Sequence, residues 1–215
     1  ETHDSDWDWN EFYHRNNDEL VATWGNLANR VLSFAYKHWE GKVPDPGELR
    51  PIDQEILATV EAGFQTVGAE FEAVHLRGAL AEAMRLASEV NKYLDTTAPW
   101  FEIKTNKDGA AKSIYTAMRA IDSIKVLLAP FLPHTSEKLN AFLGYPQPLF
   151  GEQSTEALTD GLGEHTVLRY HGETASGRWE PSRLAPGSAF LQPQPLFRKL
   201  DASIVEEERA RLGSH

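Results

Sequence analysis

Apolar residues recur through the first two-thirds of the chain at spacings of three and four, the period of a helix buried along one side. Leu20, Trp24, Leu27, Val31 and Phe34 form the first stripe and predict a helix over about 9–37. "GKVPDPGEL" breaks it with two prolines and two glycines. Pro51 suits the first turn of a second helix, whose buried face is Ile52, Ile56, Val60, Phe64, Val67 and Phe71. Leu76, Leu80, Met84, Ala87, Val90 and Leu94 make a third stripe that stops at Pro99. Ala110, Ile114, Ala117, Met118, Ile121, Ile124 and Leu128 make a fourth, closed by Pro130 and Pro133. "HTSEKLNAFLGY" reads as a short fifth helix with Gly144 as its C-cap. The expected fold is all-α: an antiparallel helical bundle over residues 1–145.

Beyond residue 145 the stripes end and Gly, Pro, Ser and Thr become frequent. "HTVLRYHG" reads as an isolated strand and "SIVEEERARL" as a short amphipathic terminal helix. Residues 146–215 are therefore expected to be an irregular, extended tail that packs on another surface.

Composition narrows the function. With 215 residues, 41% of them hydrophobic and 25% charged, one domain with an appendage can bury a core without staples. The absence of cysteine excludes disulfides, a thiol nucleophile and a Cys-based metal site. No apolar run approaches the roughly 20 residues of a membrane span, and the acidic opening "ETHDSDWDWN" is no signal peptide, so a cytoplasmic protein is expected. Because the chain opens on Glu1, it is expected to be a piece of a longer protein.

The net charge of −11 opposes nucleic-acid binding, but its distribution is uneven. Residues 1–20 carry seven acids and one base, whereas residues 91–138 carry seven bases and five acids. Any RNA contact is expected toward the second region, leaning on stacking and hydrogen bonds.

No Gly-rich phosphate loop, metal-ligand helix or nucleophile elbow is present, and the eight histidines are scattered. His134 beside its proline turn reads as a capping or exposed residue. No catalytic residue, metal site or cofactor is expected within this chain. Two features remain. In "GNLANR", Asn26 and Arg30 stand four apart, on one flank of the first stripe. An amide and a guanidinium fixed there can read the edge of a base, or simply form a solvated flank. In "NKYLDTTAPW", Trp100 follows Pro99, either packed under the loop or held out as a platform for an unpaired base.

The ordered blocks "NNDELVATWGNLANRVLSF", "NKYLDTTAPW", "LLAPFLPHTSEKLNAFLG" and "GSAFLQPQPLFRKLD" resemble the C-terminal region of the methionyl-tRNA synthetase family, a class I aminoacyl-tRNA synthetase, over essentially the whole chain. The HIGH-type and KMSKS-type ATP motifs of the catalytic half are not in this sequence, so ATP, methionine and an optional zinc would belong to that half. The resemblance implies a class I synthetase anticodon-binding domain whose partners are tRNA(Met) with a CAU anticodon and the chain's own catalytic domain, toward which the tail would pack. In the family, an Asn and an Arg four apart on the first helix, with a Trp after the proline, recognise that anticodon. The matching positions are Asn26, Arg30 and Trp100. Trp24 stands where the family more often has a smaller aliphatic residue, and it reads as core. A helical protein-interaction module that has lost RNA binding is the alternative that the −11 charge supports. The equivalent domain of a synthetase for a branched aliphatic amino acid is a third reading, opposed by the Asn26, Arg30 and Trp100 set.

Overall fold

The computed structural model describes residues 6–212, so Glu1 and Asp4 of the acidic opening run lie outside it. Helix α1 (Trp9–His14) is opened by Asp8, whose carboxylate accepts the backbone N–H of Asn10 at 2.6 Å. It continues unbroken into a π-helical stretch, Arg15–Gly25, and then into α2 (Asn26–His38). The apolar spacing correctly predicts the length of this rod but not its π-helical middle, where the wider turns carry Asn17 and Gly25 against the C-terminal tail.

Helix α3 (Pro51–Glu72) begins with Pro51 in its first turn, and Asp53 reaches back to the Arg50 backbone N–H at 2.8 Å. Helix α4 (Leu76–Thr97) ends at Ala98, which adopts the left-handed conformation (φ 42°). A short turn, α5 (Pro99–Glu102), follows, so Trp100 sits in a second helical start and not in an open loop. Helix α6 (Lys107–Leu128) is the centre of the bundle. It packs against α2, α3 and α4 and buries Ser113, Thr116, Asp122 and Lys125 as well as its apolar stripe. Trp24, 2% exposed, is core as expected. Helix α7 (Pro133–Phe142) closes on Gly144 (φ 85°), with the Gly144 N–H donated to Ala141 and the Tyr145 N–H to Asn140. That paired ending is the glycine cap expected there.

The strand expected alone has a partner. β1 (Glu152–Asp160) and β2 (Gly163–His171) form an antiparallel hairpin in register from Glu152–His171 to Asp160–Gly163. The first strand, "EQSTEALTD", has no apolar face that would reveal it in the sequence.

Residues 176–200 run across the bundle. The Trp179 indole donates to the Phe64 carbonyl at 2.9 Å and meets the rings of Phe64 and Phe71 edge-on. Asp122, 3% exposed, accepts from Lys125 (2.6 Å), Tyr145 (2.7 Å) and Ser182 (2.6 Å), which ties α6 to this segment. Burial pushes the Lys125 ammonium below its usual range, against the pull of Asp122. Further along, Asn17 and Leu200 exchange hydrogen bonds of 2.9 and 3.1 Å. Helix α8 (Ser203–Leu212), the terminal helix expected, packs on α1.

Candidate nucleic-acid interface

Asn26 and Arg30 occupy the first two turns of α2, and both are exposed. Trp100 reaches them from α5, seventy positions further along. The Arg30 guanidinium lies over the Trp100 ring, 4.8 Å from its centroid, within the range of a cation–π contact. Trp100 is partly buried, packed on the core, and meets Phe34 of α2 edge-to-face at 5.0 Å. The two readings of this tryptophan therefore converge: part of the indole anchors the turn and part is open. Asn26 stands one turn from Arg30 and makes no side-chain hydrogen bond among the described residues.

The local backbone explains how Trp100 is held. Ala98 turns the chain left-handed, and Pro99, buried, starts α5 with its fixed φ. Beneath this turn lies a polar network. Arg50 grips fully buried Asp53 through Nε (2.9 Å) and Nη2 (2.8 Å), and Tyr93 donates to the same carboxylate at 2.6 Å. The second side of Arg50 faces Glu102 of α5 at 3.8 Å, and Glu102 accepts from Asn106, the cap of α6, at 2.9 Å. Helices α3, α4, α5 and α6 thus meet at this network, through Asp53, Tyr93, Glu102 and Asn106. Burial alone would push the Asp53 carboxyl up, but the bonds from Arg50 and Tyr93 and the Arg50 charge outweigh it and hold the group below the usual carboxylate range. Burial and Asp53 together push the Tyr93 phenol well up.

An aromatic strip continues from Trp100 through Phe34 to His38 and Trp39, where Lys107 lies 5.9 Å from the indole centroid. Burial, then the charges of Lys37 and Lys107, hold His38 below its ordinary value and therefore neutral at pH 7. Phe34 shows in the sequence only as a core position. Asn91, whose Oδ1 accepts from Arg30 at 3.4 Å, carries no signal there at all.

Known proteins match this chain. Residues 43–169 fit the family model described as the anticodon binding domain of methionyl tRNA ligase. The chain belongs to that family. Trp100 and the hairpin lie inside the matched range, and Asn26 and Arg30 lie before it. This membership sets aside the synthetase for a branched aliphatic amino acid. Over 214 residues the chain is 49% identical to a methionine–tRNA ligase of Thermomicrobium roseum, covering 99% of this chain and 36% of that protein. Against a methionine–tRNA ligase of Chloroflexus aggregans it is 48% identical over 215 residues, again 36% of that protein. This anticodon-binding domain therefore spans about a third of the length of its curated relatives. Two solved structures share the fold. Mycobacterium tuberculosis methionyl-tRNA synthetase in its free state superposes with a TM-score of 0.73 at 24% identity, covering 91% of this chain and 35% of that one. The same enzyme in complex with methionyl-adenylate gives 0.70 at 25% identity, covering 89% and 33%.

Proposed function

We propose that this chain reads the CAU anticodon of tRNA(Met) within a cytoplasmic methionine–tRNA ligase, which joins methionine to the tRNA at the expense of ATP. The observation that carries this reading is the exposed Arg30 guanidinium over the half-buried Trp100 indole, in an otherwise acidic chain. Trp100 offers a π-face to the first anticodon base. Arg30 presents a planar donor fork and Asn26 a donor and an acceptor together, the groups needed to read base edges. The chemistry, with ATP, methionine and an optional zinc, belongs to a catalytic half, and this chain supplies recognition.

The test is binding of an anticodon stem-loop RNA. A CAU loop binds the protein more tightly than loops altered at any of the three bases, and Trp100→Ala weakens the CAU complex by about 1–3 kcal/mol, the worth of one stacked base. Arg30→Lys also weakens it, because an ammonium cannot replace the fork. Equal binding of all loops, or none, overturns the reading in favour of a protein-interaction module.

A further inference from the structure

Arg30 is exposed and flexible, yet it is held in one place. The indole of Trp100 lies on one side of its guanidinium, and its Nη2 donates to Asn91 Oδ1 at 3.4 Å. Asn91 is on α4, opposite the rod that carries Arg30, and is only partly exposed. Its own amide is fixed more firmly than the bond it makes to Arg30. Nδ2 donates to the Thr23 carbonyl at 3.1 Å and to the Ala87 carbonyl at 3.1 Å. A side-chain amide has two N–H donors, and both are used here on backbone acceptors. Flipping the amide would turn its oxygen onto two carbonyls and lose both bonds. The oxygen is therefore obliged to face Arg30.

From this geometry we infer that Asn91 is a positioning residue for recognition: it spans from α4 to the π-helical stretch and holds the Arg30 guanidinium against Trp100 before any RNA arrives. The inference rests on the proposed anticodon reading. Pre-placing a long side chain removes ordering that the ligand would otherwise have to impose. A guanidinium has five N–H donors, so the single bond to Asn91 leaves the rest of the fork for a base edge. Asn91 itself need not touch RNA.

The role is separable from plain scaffolding by a double-mutant cycle in the intact protein, read as the dissociation constant of the CAU stem-loop RNA. Asn91→Ala raises that constant by about threefold to tenfold when Arg30 is present and by less than about twofold in the Arg30→Ala background. A scaffolding residue would give the same loss in both backgrounds, and that result overturns the inference. So does an unchanged constant in Asn91→Ala while the unmodified protein binds. Failure of the unmodified protein to prefer CAU is a different outcome, and it removes the anticodon reading itself. Should Asn91→Ala not fold, Asn91→Ser keeps a hydroxyl donor for the Ala87 carbonyl. The same cycle run with that variant supports the inference if the loss depends on Arg30 and overturns it if the loss does not.

Discussion

Asp53 combines complete burial with three separate donors, the Arg50 backbone, the Arg50 guanidinium and the Tyr93 hydroxyl. Removing its charge leaves a guanidinium and a phenol facing an empty acceptor. Asp53→Ala should lower unfolding free energy by about 3–5 kcal/mol, read from urea melts. The pH dependence has a definite sign. The folded carboxyl titrates below its unfolded value of about 3.9, so its stabilisation is complete above that pH and is lost as the pH falls through the folded value. Asp53→Asn should flatten the acid side of the stability profile below about pH 4, and an unchanged acid limb would contradict it. Asn26, Arg30 and Trp100 stand out in the sequence as candidates because a spacing of four and a neighbouring proline are local features, and the family resemblance joins the three into one set. Asn91 and Asp53 act across helices, between α4 and the π-helical stretch and between α3 and α4, and no spacing along the chain encodes such a meeting.

At the scale of elements, the stripes of three and four identify the long helices because each buries one face on α6 or its neighbours. They do not reveal the π-helical stretch, since apolar residues four apart, Leu20 and Trp24, fit the turn of either helix, although only Trp24 is buried. Nor do they reveal the hairpin, whose strands are almost wholly exposed and so lack the alternation that burial imposes. The close approach of the π-helical stretch to the tail makes a sharper test. A Cβ on Gly25 would sit 2.9 Å from Phe197 Cδ2 and 3.1 Å from the Leu20 carbonyl. Ala is favoured over Gly in a helix by about 1 kcal/mol, but overpacking costs about 1–3 kcal/mol. Gly25→Ala should therefore destabilise the protein and open residues near Phe197 to limited proteolysis. Adding Phe197→Ala should recover part of the stability lost to Gly25→Ala, because it removes the ring that the new methyl meets. Stabilisation by Gly25→Ala alone would show that the tail gives way without cost.

For the whole molecule, the charge of −11 limits how it can hold RNA. The exposed bases along the aromatic strip include Arg30 over Trp100, Lys107 near Trp39, Lys37 beside His38 and Lys104, four positions past Trp100. With about four phosphates neutralised, the slope of log binding constant against log salt should be no steeper than about −3. Titration of the CAU stem-loop over graded KCl checks this, and a slope near about −6 would mean a far broader basic contact than the structure offers.

The exchange of hydrogen bonds between Asn17 and Leu200 has a mechanical side. From Arg30 to Trp9 the helical rod is about 30 Å long and its Arg30 end is set in the core by Leu27 and Val31, so a tilt of about 5° there swings the Trp9 end through about 2.6 Å. The rod therefore behaves as a mast footed in the bundle, with Phe197 and Leu200 as stays fastened about a quarter and three-fifths of the way out from Arg30. Slackening a stay would free the Trp9 end, and helix α8 that packs on it, while Arg30 keeps its place.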